Sequence, residues 1–208
     1  YIQADFTKLW APRTGQLLTN FLTSVWPPQP TEWGQLFTLS AQTIAMSILA
    51  MTGAGFGGIL LSFPAANYSL NNTKSRPNQA LKTTIVLITR TFLLITRAIP
   101  APIWALILLY VLFPGILPGS IALGIYNLGI LGRLMAEVIE NTDKRPLQAL
   151  FTLGANNPQV FLYGILPRTL PRFLDYILYR WEVCTRETAL VGLVGAGGLG
   201  PVSYTHLA

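Results

Sequence analysis

FTLSAQTIAMSILAMTGAGFGGILLS, residues Phe37 to Ser62, runs for 26 positions without a single charged side chain. At about 1.5 Å of rise per residue, a helix of this length is ample to cross a hydrocarbon core about 30 Å thick. It is the clearest membrane span in the chain. Its small residues, among them Ala45, Ala50, Gly53, Ala54, Gly57 and Gly58, suit close approach between helix backbones in lipid. The glycines at 53, 55, 57 and 58 have the density of a phosphate loop, yet no Lys-Ser/Thr follows them, so helix packing is their expected role.

Composition agrees with that span. Of the 208 residues, 51% are hydrophobic and 11% charged, whereas soluble domains carry roughly 25% charged residues. Mean hydropathy is +0.48. The surface is built to face lipid. The net charge of +6 is spread among apolar runs and forms no basic face. No nucleic-acid partner is therefore expected, and the positive charge marks cytoplasmic loops instead. The single Cys184 and single His206 exclude an intrachain disulfide and the usual Cys/His zinc sets. A histidine-dependent hydrolase would have to rest on His206 alone, close to the end of the chain. No cofactor is expected.

Working outward, residues 1–36 are mixed and aromatic, broken by Trp26-Pro27-Pro28-Gln29-Pro30, and read as an extracytoplasmic or interfacial segment. Pro64 is expected to end the first span. Lys74, Arg76 and Lys82 then assign the next loop to the cytoplasm. Residues 80–99 are apolar but carry Lys82, Arg90 and Arg97 with Thr83, Thr89 and Thr96 as a polar stripe, facing either the headgroup boundary or a protein-lined path. Pro100 and Pro102 should kink or break the chain before a second apolar run, Ile103 to Phe113. Pro114 to Gly119 is expected to form an external turn, and Ser120 to Ala136 to return to the cytoplasm, delivering Arg133, Glu137, Glu140, Asp143, Lys144 and Arg145 there.

Between Pro146 and Pro171 the spacing predicts two short helices at an angle, the first ended by Gly154 and the second started at Asn157-Pro158. They would protrude on the cytoplasmic side. Phe173 to Gly200 is long enough to span but holds Asp175, Arg180, Glu182, Arg186 and Glu187, which are costly in hydrocarbon and must face protein or water. Asp175, Tyr179, Glu182 and Arg186 share one helical face, with Glu182 and Arg186 one turn apart. An ion pair locking neighbouring helices is the first reading of this face, and a transport path the second.

The stretch Leu147-Gln148-Ala149-Leu150-Phe151-Thr152-Leu153-Gly154, followed by Leu166-Pro167, resembles the Glu-Ala-Ala loop of ABC importer permeases. Gln148 stands where that family usually has glutamate, and Leu150 replaces the second alanine. Arg97-Ala98-Ile99-Pro100, the block Tyr179-Arg180-Trp181-Glu182 followed by Arg186, and Leu193 to Gly200 are each similar to the phosphonate and phosphite permeases. The last of these also fits the dinucleotide template G-x-G-x-x-G at Gly195, Gly197 and Gly200, but it ends a polar-studded helix and follows no strand. Its glycines, Gly198 included, are expected to allow a tight bend or close helix crossing.

The resemblance covers about residues 35–200. It implies an all-α membrane protein, a multi-helix bundle of the type I ABC importer fold seen in methionine permeases. The implied domain runs over 37–200, with a cytoplasmic coupling loop at about 137–171. It further implies a multi-pass subunit of the bacterial inner membrane that carries a phosphonate or related oxyanion and performs no covalent chemistry. Its implied partners are a separate ATPase subunit, an extracytoplasmic solute-binding protein and a second permease copy, most simply an identical one. Gln148, Ala149, Leu150, Gly154, Leu166 and Pro167 would form the ATPase-coupling loop. Arg97, Arg180, Glu182 and Arg186 would line the path or form structural ion pairs. Such permeases carry further helices before residue 1 and after the glycine run, so the chain reads as truncated at both ends, with 201–208 a truncated or non-native tail. A permease for another solute such as methionine, a secondary transporter and a membrane-bound enzyme are the rival readings. The last two would require internal repeats or a catalytic cluster.

Overall fold

A computed structural model describes residues 33–67, 76–156 and 159–199, together with positions 15, 16, 19, 20 and 23. Gly200, the tail 201–208 with His206, Lys74 and the Asn157-Pro158 pair lie outside the described residues. Among the described residues from Trp33 onward six α-helices follow in order: α1 Trp33–Ala65, α2 Arg76–Ala98, α3 Ala101–Val111, α4 Ile116–Glu140, α5 Arg145–Thr152 and α6 Leu166–Val191. A π-helical turn, Val160–Ile165, leads into α6, and a second, Gly192–Ala196, leads out of it. Among the described residues there is no strand.

Helices α1 and α4 form the centre. Along α1 the buried positions Met46, Ala50, Ala54, Gly58, Ser62 and Ala65 recur about every four residues, one continuous row on the face turned to the bundle. The bulky side chains Ile44, Ile48, Leu49, Phe56 and Leu60 point outward. Small inside and large outside reverses the pattern of a soluble helix. It is the arrangement expected where lipid solvates the exterior and helices associate through close packing. Leu123, Leu131, Met135 and Ile139 of α4 fill the opposite side of this contact, each fully buried or nearly so.

Helices α1 and α4 are each long and apolar enough to cross a membrane, and the pair formed by residues 80–98 and α3 passes the same test if counted as one bent span. That pair turns through 89° at its break. Proline chemistry causes the turn. In a continuous helix the Thr96 carbonyl would accept from the amide of residue 100, which is Pro100 and has no N–H. The indole Nε1 of Trp104 donates to the Thr96 carbonyl instead, at 3.1 Å.

Two expectations from sequence are corrected here. Pro118 and Gly119 belong to the first turn of α4, where a proline costs no hydrogen bond, so the turn is confined to the residues before Ile116. Among the described residues the predicted second short helix does not stand as a separate unit. Residues from Val160 run through the π turn directly into α6, because the Leu166 amide reaches back five residues to the Phe161 carbonyl and keeps the column continuous past Pro167.

The two ends of the bundle differ. At one end the last turns of α1 and α4 meet, since the Asn67 amide donates to the Glu140 carboxylate at 2.5 Å. Helix α5 lies at this end. At the other end the chain after α6 folds back on α1, with the Leu199 amide donating to Thr43 Oγ1 at 3.1 Å. Helices α1 and α4 therefore run in one direction and α6 in the other.

Candidate functional site

Two places in this frame carry chemistry beyond packing. The first is the elbow made by α5 and the π turn before α6. Pro146 sits in the first turn of α5, and Gly154 closes it at φ +85°, a left-handed conformation that side chains other than glycine resist. Leu147 is fully buried and anchors the short helix. Its partner surface is Gly164 on the π turn, so close that a Cβ there would lie 2.4 Å from Leu147 Cδ2 and 3.1 Å from Leu150 Cδ1. Phe161 of the same turn packs edge-on against Phe63 of α1, ring centroids 4.5 Å apart.

With Leu147 and Leu150 turned inward, the other face of α5 is outside. Gln148 and Ala149 are exposed, as is Gly154. Leu153 is 83% and Tyr163 76% exposed, with Leu162 beside them. Leu166 and Pro167 form the first turn of α6, Leu166 half-buried and Pro167 exposed. The loop residues named from sequence thus stand on one elbow, Leu150 supporting it and Gln148, Ala149 and Gly154 presented outward.

The second place is a polar cluster inside the bundle between α4 and α6. Arg180 donates to Asn127 Oδ1 through Nε at 2.9 Å and Nη2 at 2.6 Å, and through Nη2 to Glu187 at 3.3 Å. The amide of Asn127 donates to the Leu123 carbonyl at 2.9 Å and to the other oxygen of Glu187 at 3.4 Å. Tyr126 presents its ring 5.8 Å from the guanidinium. The side chains of Arg180 and Glu187 are 12% and 20% exposed, and Asn127 is fully buried. Each charged group has an opposite charge and an amide against it, which is the condition for ions to persist away from water.

Sequence reasoning missed Asn127 and did not pair Glu187. The signal was a lone carboxamide in the uncharged run from Ile121 to Gly132. Other residues proposed for the path lie elsewhere. Arg97 is exposed near the end of α2. Glu182 and Arg186 do pair, but within one helix and on its outer face, 63% and 76% exposed. Among the described residues that pair joins no neighbouring helix, and the interhelical lock expected of it is the work of Arg180 and Asn127. Gly195, Gly197 and Gly198 take φ of +104°, +88° and +76°, a bend only glycines follow without strain. A Cβ at Gly198 would also meet Thr43 Oγ1 at 2.8 Å.

Residues 58–204 match the family described as the binding-protein-dependent transport system inner membrane component. The chain belongs to this family. Among relatives of the inner membrane component, a phosphite transport system permease protein of Stutzerimonas stutzeri is 35% identical over 158 residues, covering 76% of this chain and 54% of the relative. A phosphate-import permease protein of Mycolicibacterium smegmatis is 29% identical over 84% of this chain and 31% of its own length. The chain thus spans about half or less of these two relatives. A solved methionine ABC transporter in inward-facing conformations superposes with a TM-score of 0.66 at 21% identity, covering 86% of this chain and 83% of that one. That likeness identifies the fold as the ABC importer permease fold.

Proposed function

We propose that the chain is the permease part of an ATP-driven importer for phosphite, a phosphonate or a related oxyanion. The observation that carries this reading is the family match over residues 58–204, which takes in an exposed elbow with an apolar face at one end of the bundle. A soluble ATPase needs such a handle, and Leu153, Leu162 and Tyr163 give it apolar area to bury. Arg133, Lys144, Arg145, Arg168 and Arg172 flank the elbow, which supports a cytoplasmic position for that end. Solute would arrive from a binding protein at the glycine-turn end. A second copy would cover the outer face of α6, where Asp175, Glu182 and Arg186 are otherwise left toward lipid at considerable cost. No cofactor is assigned to the subunit.

The substrate class rests on the relatives, whose names include phosphite and phosphate import. Reconstitution with the cognate ATPase and binding protein in proteoliposomes tests the whole reading, with phosphite and methylphosphonate as probes and methionine as control. Gly154→Val forces a β-branched residue into a left-handed conformation that costs about 1–2 kcal/mol even for an ordinary residue. ATP-driven uptake should fall while the purified subunit keeps its helicity. Undiminished uptake in Gly154→Val would remove the elbow from the coupling mechanism.

A further inference from the structure

Arg90 of α2 reaches two other helices at the elbow end. Its Nε donates to the Ala65 carbonyl at 2.9 Å, and its Nη2 pairs with the Glu140 carboxylate. Ala65 is the last residue of α1, so its carbonyl has no partner within the helix and lies at the negative end of the macrodipole, where a cation is favoured. Glu140 is the last residue of α4, five positions before α5 begins. The same carboxylate oxygen accepts from the Asn67 amide at 2.5 Å, just beyond the end of α1. The Arg90 and Glu140 side chains are 30% and 24% exposed, enough shielding for the fork to hold its geometry.

The elbow is held in three ways. Two are apolar, Leu147 on Gly164, which leads into α6, and Phe161 on Phe63, which leads into α1. The third is ionic, Glu140 to Arg90 and the end of α1, and it brings in α2. We propose that Arg90 and Glu140 are positioning residues that form the joint through which displacement of the elbow reaches α2. The proposal rests on the elbow being where the ATPase docks. It assigns the pair to transmission and docking itself to the outer face of α5.

The test uses the assembled transporter in proteoliposomes, with phosphite uptake and ATP hydrolysis measured on the same vesicles. Glu140→Gln keeps shape and removes the charge. Arg90→Lys keeps the charge and loses the fork that serves Ala65 and Glu140 together. Phosphite carried per ATP should fall by about tenfold in Glu140→Gln, the equivalent of ~1.4 kcal/mol, and by less in Arg90→Lys, while ATPase copurification and hydrolysis stay near the parent values. An unchanged ratio in both variants overturns the joint, and so does loss of the ATPase subunit from both. Gly154→Val, run in parallel, separates the two claims. If it impairs uptake while the joint variants do not, only the joint is wrong, and if none of the three affects uptake the docking reading falls with it.

Discussion

Adding one methyl group at Gly129 should damage the bundle, whereas the same change at Gly53 should help it. A Cβ at Gly129 of α4 would lie 2.4 Å from Thr96 Oγ1, 2.7 Å from the Leu93 carbonyl and 2.9 Å from the Arg97 amide nitrogen. Ordinary contact begins near 3.4 Å. A hydroxyl can rotate away, but the carbonyl and amide belong to the backbone of α2. That helix must retreat by about 0.5–0.7 Å, and overpacking of this kind costs about 1–3 kcal/mol. Replacing a helical glycine by alanine returns about 0.5–1 kcal/mol of chain entropy, so the net for Gly129→Ala is a loss of up to about 2.5 kcal/mol. Gly53 on α1 has nothing within 4 Å and borders an open apolar groove of about 280 Å³ between α1 and α4. There only the entropy gain remains. Equilibrium unfolding of the two purified variants in detergent, followed by helicity, reads the difference directly. Shifts of the same sign and size would show that α2 is not seated on α4 as described.

Removing the Arg180 side chain leaves Glu187 without its opposite charge and Asn127 Oδ1 without its donor, so Arg180→Ala should cost about 3–5 kcal/mol in the same unfolding assay. Equal stability would mean that the cluster is open to water. Trp104→Phe keeps an aromatic side chain but strips the Thr96 carbonyl of its substitute donor, for a loss of about 1–3 kcal/mol. Trp181→Phe serves as the comparison, because its indole bonds only to the Ser47 hydroxyl at 3.1 Å, and its loss should stay within about 0.5–1.5 kcal/mol. A smaller effect at Trp104 than at Trp181 would contradict the account of the proline break.

What could be read from the chain follows from the range of the forces involved. Phe37 to Ser62 declared itself because lipid acts on every residue of a span independently, so composition alone carries the message. Pro100 and Gly154 were legible for a similar reason, each imposing its constraint on its own backbone. The starts of α4 and α6 were misread because a proline in a first turn and a proline after a π turn look alike in sequence. Whether the chain stops or continues depends on which carbonyl the next amide can reach, and at Leu166 that carbonyl is five residues back.

The polar cluster marks the limit of such reading. Spacing along α6 singles out Glu182 and Arg186, four residues apart, and they do pair. Yet an i,i+4 contact is available to any exposed helix and need not touch a second element. Arg180 finds its main partner 53 residues away, on a helix whose sequence contains one amide among apolar neighbours. Nothing local distinguishes the two arginines. What distinguishes them is rotation about the α6 axis, fixed when Phe173, Cys184, Thr188 and Val191 are buried in the bundle. Arg180 half-enters with that face, while Glu182 and Arg186 are left outside. The phase of the apolar face therefore decides which charge becomes structural and which stays on the outer surface, where only water or another protein can accommodate it without large cost.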